Sequence, residues 1–271
     1  MAGVLLVRLF RVELSTTPDA LSPGENGSNS MCFDGLLQVA PVVYISLPIL
    51  EQQYTGDPPM RHIMVMNAKG GCGKSTLATN IASYFASEGQ SVALADYDPQ
   101  RSSLDWLERR PDSRPEIVGV AGFSDGLKRA PRSADVLVID APARSHGPEL
   151  TNLVKHAETI IVPVLPSTID IQASDRFIKE LKGVGKVERK QAKIGVVANR
   201  VRENTLIFEE LDEYLDRLRI PYLASLREAQ NYVRAYTRGL GIFELPEYLA
   251  WPDWEQWEPL TKWLRSARSK P

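Results

Sequence analysis

Residues 68–76 read "AKGGCGKST", a short stretch dense in glycine and lysine. Gly70, Gly71 and Gly73 carry no Cβ to hold an anion away, so backbone N–H groups from Gly70 through Cys72 to Thr76 can close on phosphate oxygens. A helix that begins here turns its positive end to the same anion. Lys74 is placed to reach terminal phosphates, and the Ser75 hydroxyl to ligate magnesium. The usual spacing asks for a glycine five residues before Gly73, at position 68, where this chain has Ala68, so the loop is a variant. The competing interpretation is a plain glycine turn between a strand and a helix. Lys69, a second lysine just before the glycines, has no place in the ordinary loop.

Two further stretches end in carboxylates. "LADYDPQ" carries Asp96 and Asp98, and "VLVIDAPA" carries Asp140. A carboxylate closing an apolar strand opposite a phosphate loop organises magnesium and its waters, a role that suits Asp140. Asp98 stands further out, on the loop, where it can orient an attacking water. Taken singly, either acidic strand end could equally cap the next helix.

These groups need strands to carry them. Apolar runs occur in "MRHIMVMN", "SVALADYD", "VLVIDAPA", "TIIVPVLPS" and "KIGVVANR". Helical patterns lie between them. In Ser75 to Glu88, Leu77, Ile81, Tyr84 and Phe85 share one helical face. Continuous apolar strands alternating with helices imply an α/β fold, a mostly parallel sheet covered on both faces, with ligands at the strands' carboxyl ends. No internal repeat is visible.

Residues 1–59 have a different texture. "STTPDALSPGENGSNS" has little to bury and is expected to be flexible, and the domain boundary falls before Met60, giving a domain over 60–271. The run Leu36 to Leu50 is shorter than the ~20 residues of a membrane-spanning helix and is broken by Pro41 and Pro48. The amino terminus has no basic residue ahead of its apolar run, so no signal peptide is expected. A net charge of −2 gives no global attraction to nucleic acid. The two cysteines, Cys32 and Cys72, are too few for a disulfide framework, which points to a reducing, cytoplasmic setting. The three histidines are scattered without zinc-ligand spacing.

The three motifs, in this order, resemble those of the ParA/MinD family of dimeric ATPases, from about Met60 to the carboxyl terminus. "KGGCGKST" is similar to that family's deviant Walker A loop, "LADYDPQRSS" to its second motif and "VLVIDAPA" to its Walker B strand. The resemblance implies a P-loop NTPase fold, ATP and Mg2+ as cofactors, and a homodimer with two ATP molecules sandwiched between subunits. It implies that Lys69 crosses the interface to the other subunit's phosphates and that Asp98 is the water-activating aspartate. "VVANR" looks like the strand end that contacts adenine, here Asn199, and "RIPYLASLREAQ" like the loop beside the base. Only Pro142 is present where the family often has paired prolines. Cys72, often valine there, is expected to be a substitution without a role, with a thiol pKa lowered by the helix end. The family's short members begin just before the first strand, so Met60 is the expected native start.

Members of the ParA branch coat nonspecific DNA as ATP dimers, and a cargo-bound activator triggers hydrolysis and release. The resemblance therefore implies a ParB- or McdB-like activator and a nucleoid-associated location. Ser225 with Glu228 fits a capping box and Gly239 a helix stop, so Arg227, Arg234 and Arg238 are expected to form one helical stripe for phosphate contact, extended by Arg200, Arg202, Arg217 and Arg219. MinD-like members instead use an amphipathic carboxyl-terminal helix on membranes. Here Asp253, Glu255 and Glu258 interrupt the tryptophans of "WPDWEQWEPLTKWLRSARSKP", so that segment is expected to dock on the body and membrane binding is not. The texture of "DYDPQRSSLDWLERRP" leans toward carboxysome positioning, with plasmid or chromosome partition as the alternative. An electron-transfer role would need paired cysteines at a dimer interface, whereas Cys32 lies outside the core and Cys72 is committed to the loop, so that role is not expected.

Overall fold

The structure is a computed structural model, and it describes residues 60–271. The expectations for residues 1–59, flexibility and the native start included, fall outside the described residues. The strands are β1 (Arg61–Val65), β2 (Val92–Asp96), β3 (Ile117–Ala121), β4 (Val136–Asp140), β5 (Thr159–Val164), β6 (Lys193–Val201) and β7 (Tyr222–Arg227). The helices are α1 (Lys74–Ser87), α2 (Ser102–Leu107), α3 (Gly122–Asp125), α4 (Gly147–Val154), α5 (Thr168–Lys182), α6 (Gly185–Glu188), α7 (Leu206–Arg217), α8 (Gln230–Thr237) and α9 (Glu247–Arg265).

Among the described residues the strands form one seven-stranded sheet in the order β3-β2-β4-β1-β5-β6-β7, and every pairing is parallel. The five apolar runs become β1, β2, β4, β5 and β6. The two edge strands were not legible as strands, because two of the five β3 residues are exposed and β7 is only partly covered.

Strand alternation divides the core in two. Ile63 and Val65 of β1 face α1, α8 and α9, where they meet Leu77, Ile81, Phe85, Trp257 and Leu260. Met64 faces the other way, with Leu150 of α4, Phe177 of α5 and Leu211 of α7. Both faces are thus covered, as continuous apolar strands require. The order reverses direction around β1, whose neighbours β4 and β5 lead to opposite edges. That reversal opens a crevice at the carboxyl end of β1, where the glycine loop begins.

The expected capping box at Ser225 is not formed. Residues 222–227 are β7, with Leu223, Ala224 and Leu226 buried against the sheet, and α8 begins only at Gln230. Parallel pairing to β6 outweighed a local cap signal. Gly239 does stop the helix: its φ is 64°, and its N–H and that of Leu240 return to the carbonyls of Tyr236 and Ala235 at 3.2 and 3.0 Å. The tryptophan-rich end is α9 and docks on β7, as expected. Trp257, Leu260 and Leu264 are fully buried, and the Trp257 indole N–H donates to the Tyr232 hydroxyl at 2.9 Å. No described helix is long and apolar enough to cross a membrane.

Candidate nucleotide site

The loop between β1 and α1 takes an anion-cradling shape because its glycines adopt what other residues resist. Gly71 and Gly73 have φ of 77° and 92°, and Gly73 is the N-cap of α1. A Cβ on Gly73 would fall 2.2 Å from the Asn199 side-chain nitrogen, so this position is closed to larger residues twice over. Asn67 anchors the loop's entry: its Nδ2 donates to the Pro163 carbonyl and to Ser174 Oγ, and its Oδ1 accepts from the Lys69 N–H. The Asn199 amide donates to the Cys72 carbonyl at 2.8 Å. The residue expected beside adenine thus also pins the phosphate loop.

Lys74 is buried at the start of α1, and its Nζ donates to the Lys69 carbonyl at 3.3 Å. Ser75 and Thr76 follow on the first turn, half-buried and facing the open crevice. Gly70 and Gly71 are exposed. Lys69 is half-buried, and among the described residues no hydrogen bond or ion pair engages its ammonium. Cys72 corrects the sequence expectation. It is buried, its Sγ donates to the Lys69 carbonyl at 3.2 Å, and burial raises rather than lowers its thiol pKa. Desolvation of the thiolate outweighs the helix end.

Strands β2 and β4 deliver the carboxylates side by side, Asp96 opposite Asp140 in register. Their environments separate their roles. Asp96 is a cap: it accepts N–H bonds from Ser103 and Leu104 at the start of α2, and from Asp98. Asp98 is half-buried on the following loop, with Oδ1 accepting only the Gln100 N–H. Asp140 is fully buried. Its Oδ2 accepts from the Ser103 hydroxyl at 2.6 Å, while Oδ1 has no hydrogen-bond partner among the described residues. Burial pushes its pKa up to about 7, against the opposing pull of the Ser103 and Ser75 hydroxyls. A buried carboxylate oxygen without a donor, next to Ser75, fits the outer sphere of a hard divalent cation. Ser75 and Asp140 are the residues that could hold Mg2+. Ser103 went unnoticed in the sequence, because nothing local marks a serine that bonds a strand end 37 residues away.

From the loop a cavity of about 830 Å3 runs past Ser75, Thr76 and Asn199 to Arg227, Tyr232 and Tyr236. Of the "RIPYLASLREAQ" segment only the end, Arg227 to Gln230, lines it, the rest being β7 and the turn before it. At its rim Glu228 bridges Arg200 and Arg202, at 2.7 and 2.6 Å. The three-arginine stripe does not exist as expected. Arg227 ends a strand, and its Nε donates to the fully buried Asp253 at 2.7 Å. Asn231 donates to the other oxygen of Asp253. Arg234 and Arg238 do lie exposed at the end of α8.

A parallel sheet with a glycine loop after its central strand, a helix N-terminus behind the loop and carboxylates on the adjoining strands defines a P-loop nucleotide-binding protein. Within that class, the sequence profile of the CobQ/CobB/MinD/ParA nucleotide binding domain matches residues 63–242. The chain belongs to that family and has its ATPase fold. It is 30% identical over 193 residues to the maintenance of carboxysome distribution protein A of Halothiobacillus neapolitanus, covering 68% of this chain and 87% of that one. To the chromosome-partitioning ATPase Soj of Thermus thermophilus it is 26% identical over 189 residues, 58% of this chain and 76% of the other. Among solved structures, apo McdA of Cyanothece superposes with a TM-score of 0.60 at 20% identity, over 76% of this chain and 99% of that one. A plasmid partition protein of Borrelia burgdorferi bound to AMPPNP gives 0.60 at 17%, over 75% and 99%.

Proposed function

We propose that the protein is a Mg2+-dependent positioning ATPase that works as an ATP-bound sandwich dimer on nonspecific DNA. Hydrolysis, stimulated by a cargo-bound ParB- or McdB-like activator, releases it and so distributes the cargo. The observation that carries this reading is a phosphate cradle whose extra lysine, Lys69, has no partner for its ammonium among the described residues. In this reading the loop from Gly70 to Thr76 binds the phosphates, with Lys74 on the terminal ones. Lys69 serves the site of the other subunit, and Asn199 borders the base. Ser75 and Asp140 hold Mg2+, which neutralises phosphate charge when bound. Asp98, on the loop with one oxygen uncommitted, orients the attacking water.

The cargo assignment to carboxysomes is supported by the similarity to the Halothiobacillus protein across most of that protein's length. Plasmid or chromosome partition has the weaker Soj similarity in its favour. Arg234 and Arg238, exposed and four residues apart, serve as phosphate contacts. Arg227 leaves that set because Asp253 holds it. A membrane anchor is disfavoured by the burial of Trp257, Leu260 and Leu264.

The test compares wild type, Lys69→Ala and Asp98→Ala for ATP binding, dimer formation, DNA retention and hydrolysis. Lys69→Ala should bind ATP but remain monomeric. Asp98→Ala should dimerise and stay on DNA, with hydrolysis reduced about 100-fold or more. Undiminished hydrolysis by a monomeric Lys69→Ala protein would sink the reading.

A further inference from the structure

Asp170 is a buried carboxylate that the site as described does not use. It lies in the first turn of α5, 8% exposed, and its Oδ1 is buried without a hydrogen-bond partner among the described residues. Ser174, one turn further along the same helical face, is the residue that accepts from Asn67 at the entry of the phosphate loop. Asp170 therefore projects one turn closer to the loop's tip. It is near enough to Cys72 for its charge to help raise that thiol's pKa. An unpaired carboxylate set against an anion-binding loop is unfavourable twice over: it is desolvated, and it repels the phosphates. A cation between the two anions reverses both effects.

The loop's own cations do not fill that place. Lys74 Nζ is on the Lys69 carbonyl. Lys69 forms no ion pair with Asp170, although its backbone is already fixed through its N–H to Asn67 and its carbonyl to Cys72 and Lys74. We propose that Asp170 is a positioning residue whose buried carboxylate receives Lys69 of the partner subunit, holding that ammonium between itself and the phosphates. The proposal rests on the sandwich dimer proposed above and adds its counter-ion. Two-fold symmetry exchanges the same lysine in both directions, so each Asp170 gains one partner.

Two arms test it, both with a non-hydrolysable ATP analogue and Mg2+. In the first, Asp170→Asn, which preserves shape, should weaken dimerisation about tenfold or more while leaving analogue binding by the monomer intact or tighter. A merely structural lesion would weaken both, and that result overturns the proposal. In the second, differently tagged Lys69→Ala and Asp170→Asn chains are mixed. A mixed pair has one site with both partners and one site with neither, so mixed pairs should exceed the random proportion. Random proportions mean that Asp170 does not act on the partner's lysine, and also overturn it. A wild type that dimerises with normal Asp170→Asn behaviour removes this inference alone. A wild type that stays monomeric removes it together with the dimer reading.

Discussion

At the residue scale, two aspartates at adjoining strand ends have been given opposite work by their surroundings. Asp96 is saturated by backbone N–H groups at the start of α2, whereas Asp140 keeps a bare, buried oxygen. With its pKa raised to about 7, Asp140 must lose a proton before it can serve a cation. Mg2+ affinity should fall as pH drops below 7, and Mg2+ binding at pH 7 should release protons, both readable by calorimetry in buffers of different ionisation enthalpy. The sign for the metal-free fold runs the other way. A carboxyl whose folded pKa exceeds its unfolded value destabilises progressively as pH rises from about 4 to about 7. Asp140→Asn should therefore raise the metal-free melting temperature at pH 8 and leave it nearly unchanged at pH 4.

At the element scale, the carboxyl-terminal helix ties the nucleotide cavity to the body through one buried charge. Asp253 of α9 is fully buried and receives Arg227 at the end of β7 and Asn231 on α8. The pair is asymmetric, since Arg227 keeps part of its side chain in solvent and Asp253 none. Arg227→Ala strands a buried carboxylate and should cost about 3 kcal/mol in denaturant unfolding. Asp253→Asn leaves Arg227 free to hydrate and should cost clearly less. The acidic residue that argued against a lipid anchor in the sequence is thus a packing element. Its burial was illegible because its partner lies 26 residues upstream on another element.

For the whole molecule, the exposed basic surface proposed for DNA narrows to the end of α8. Arg234→Ala and Arg238→Ala should each weaken DNA binding equally across sequences and lower its salt dependence by about one phosphate contact, measured by titration at several salt concentrations. Arg227→Ala should leave the salt dependence of DNA binding unchanged, because Asp253 rather than DNA phosphate holds that side chain. The same separation would be lost if Arg227 lay on the helix as its spacing to Arg234 suggested.

The sequence alone was enough for the phosphate loop, the five buried strands and the helix behind the loop. Each of these is local: glycine conformation, apolar runs and helical periodicity act over neighbouring residues. The placement of the tryptophans was legible too, because acidic residues among them weigh against a lipid surface. Only the tertiary structure decided the rest. It turned Ser225 to Arg227 into an edge strand, made Asp96 a cap and left Asp140 bare, buried the Cys72 thiol, and set an unpaired Asp170 against the loop. Those outcomes depend on pairing, burial and charge between residues far apart in the chain, and no window of sequence carries that information.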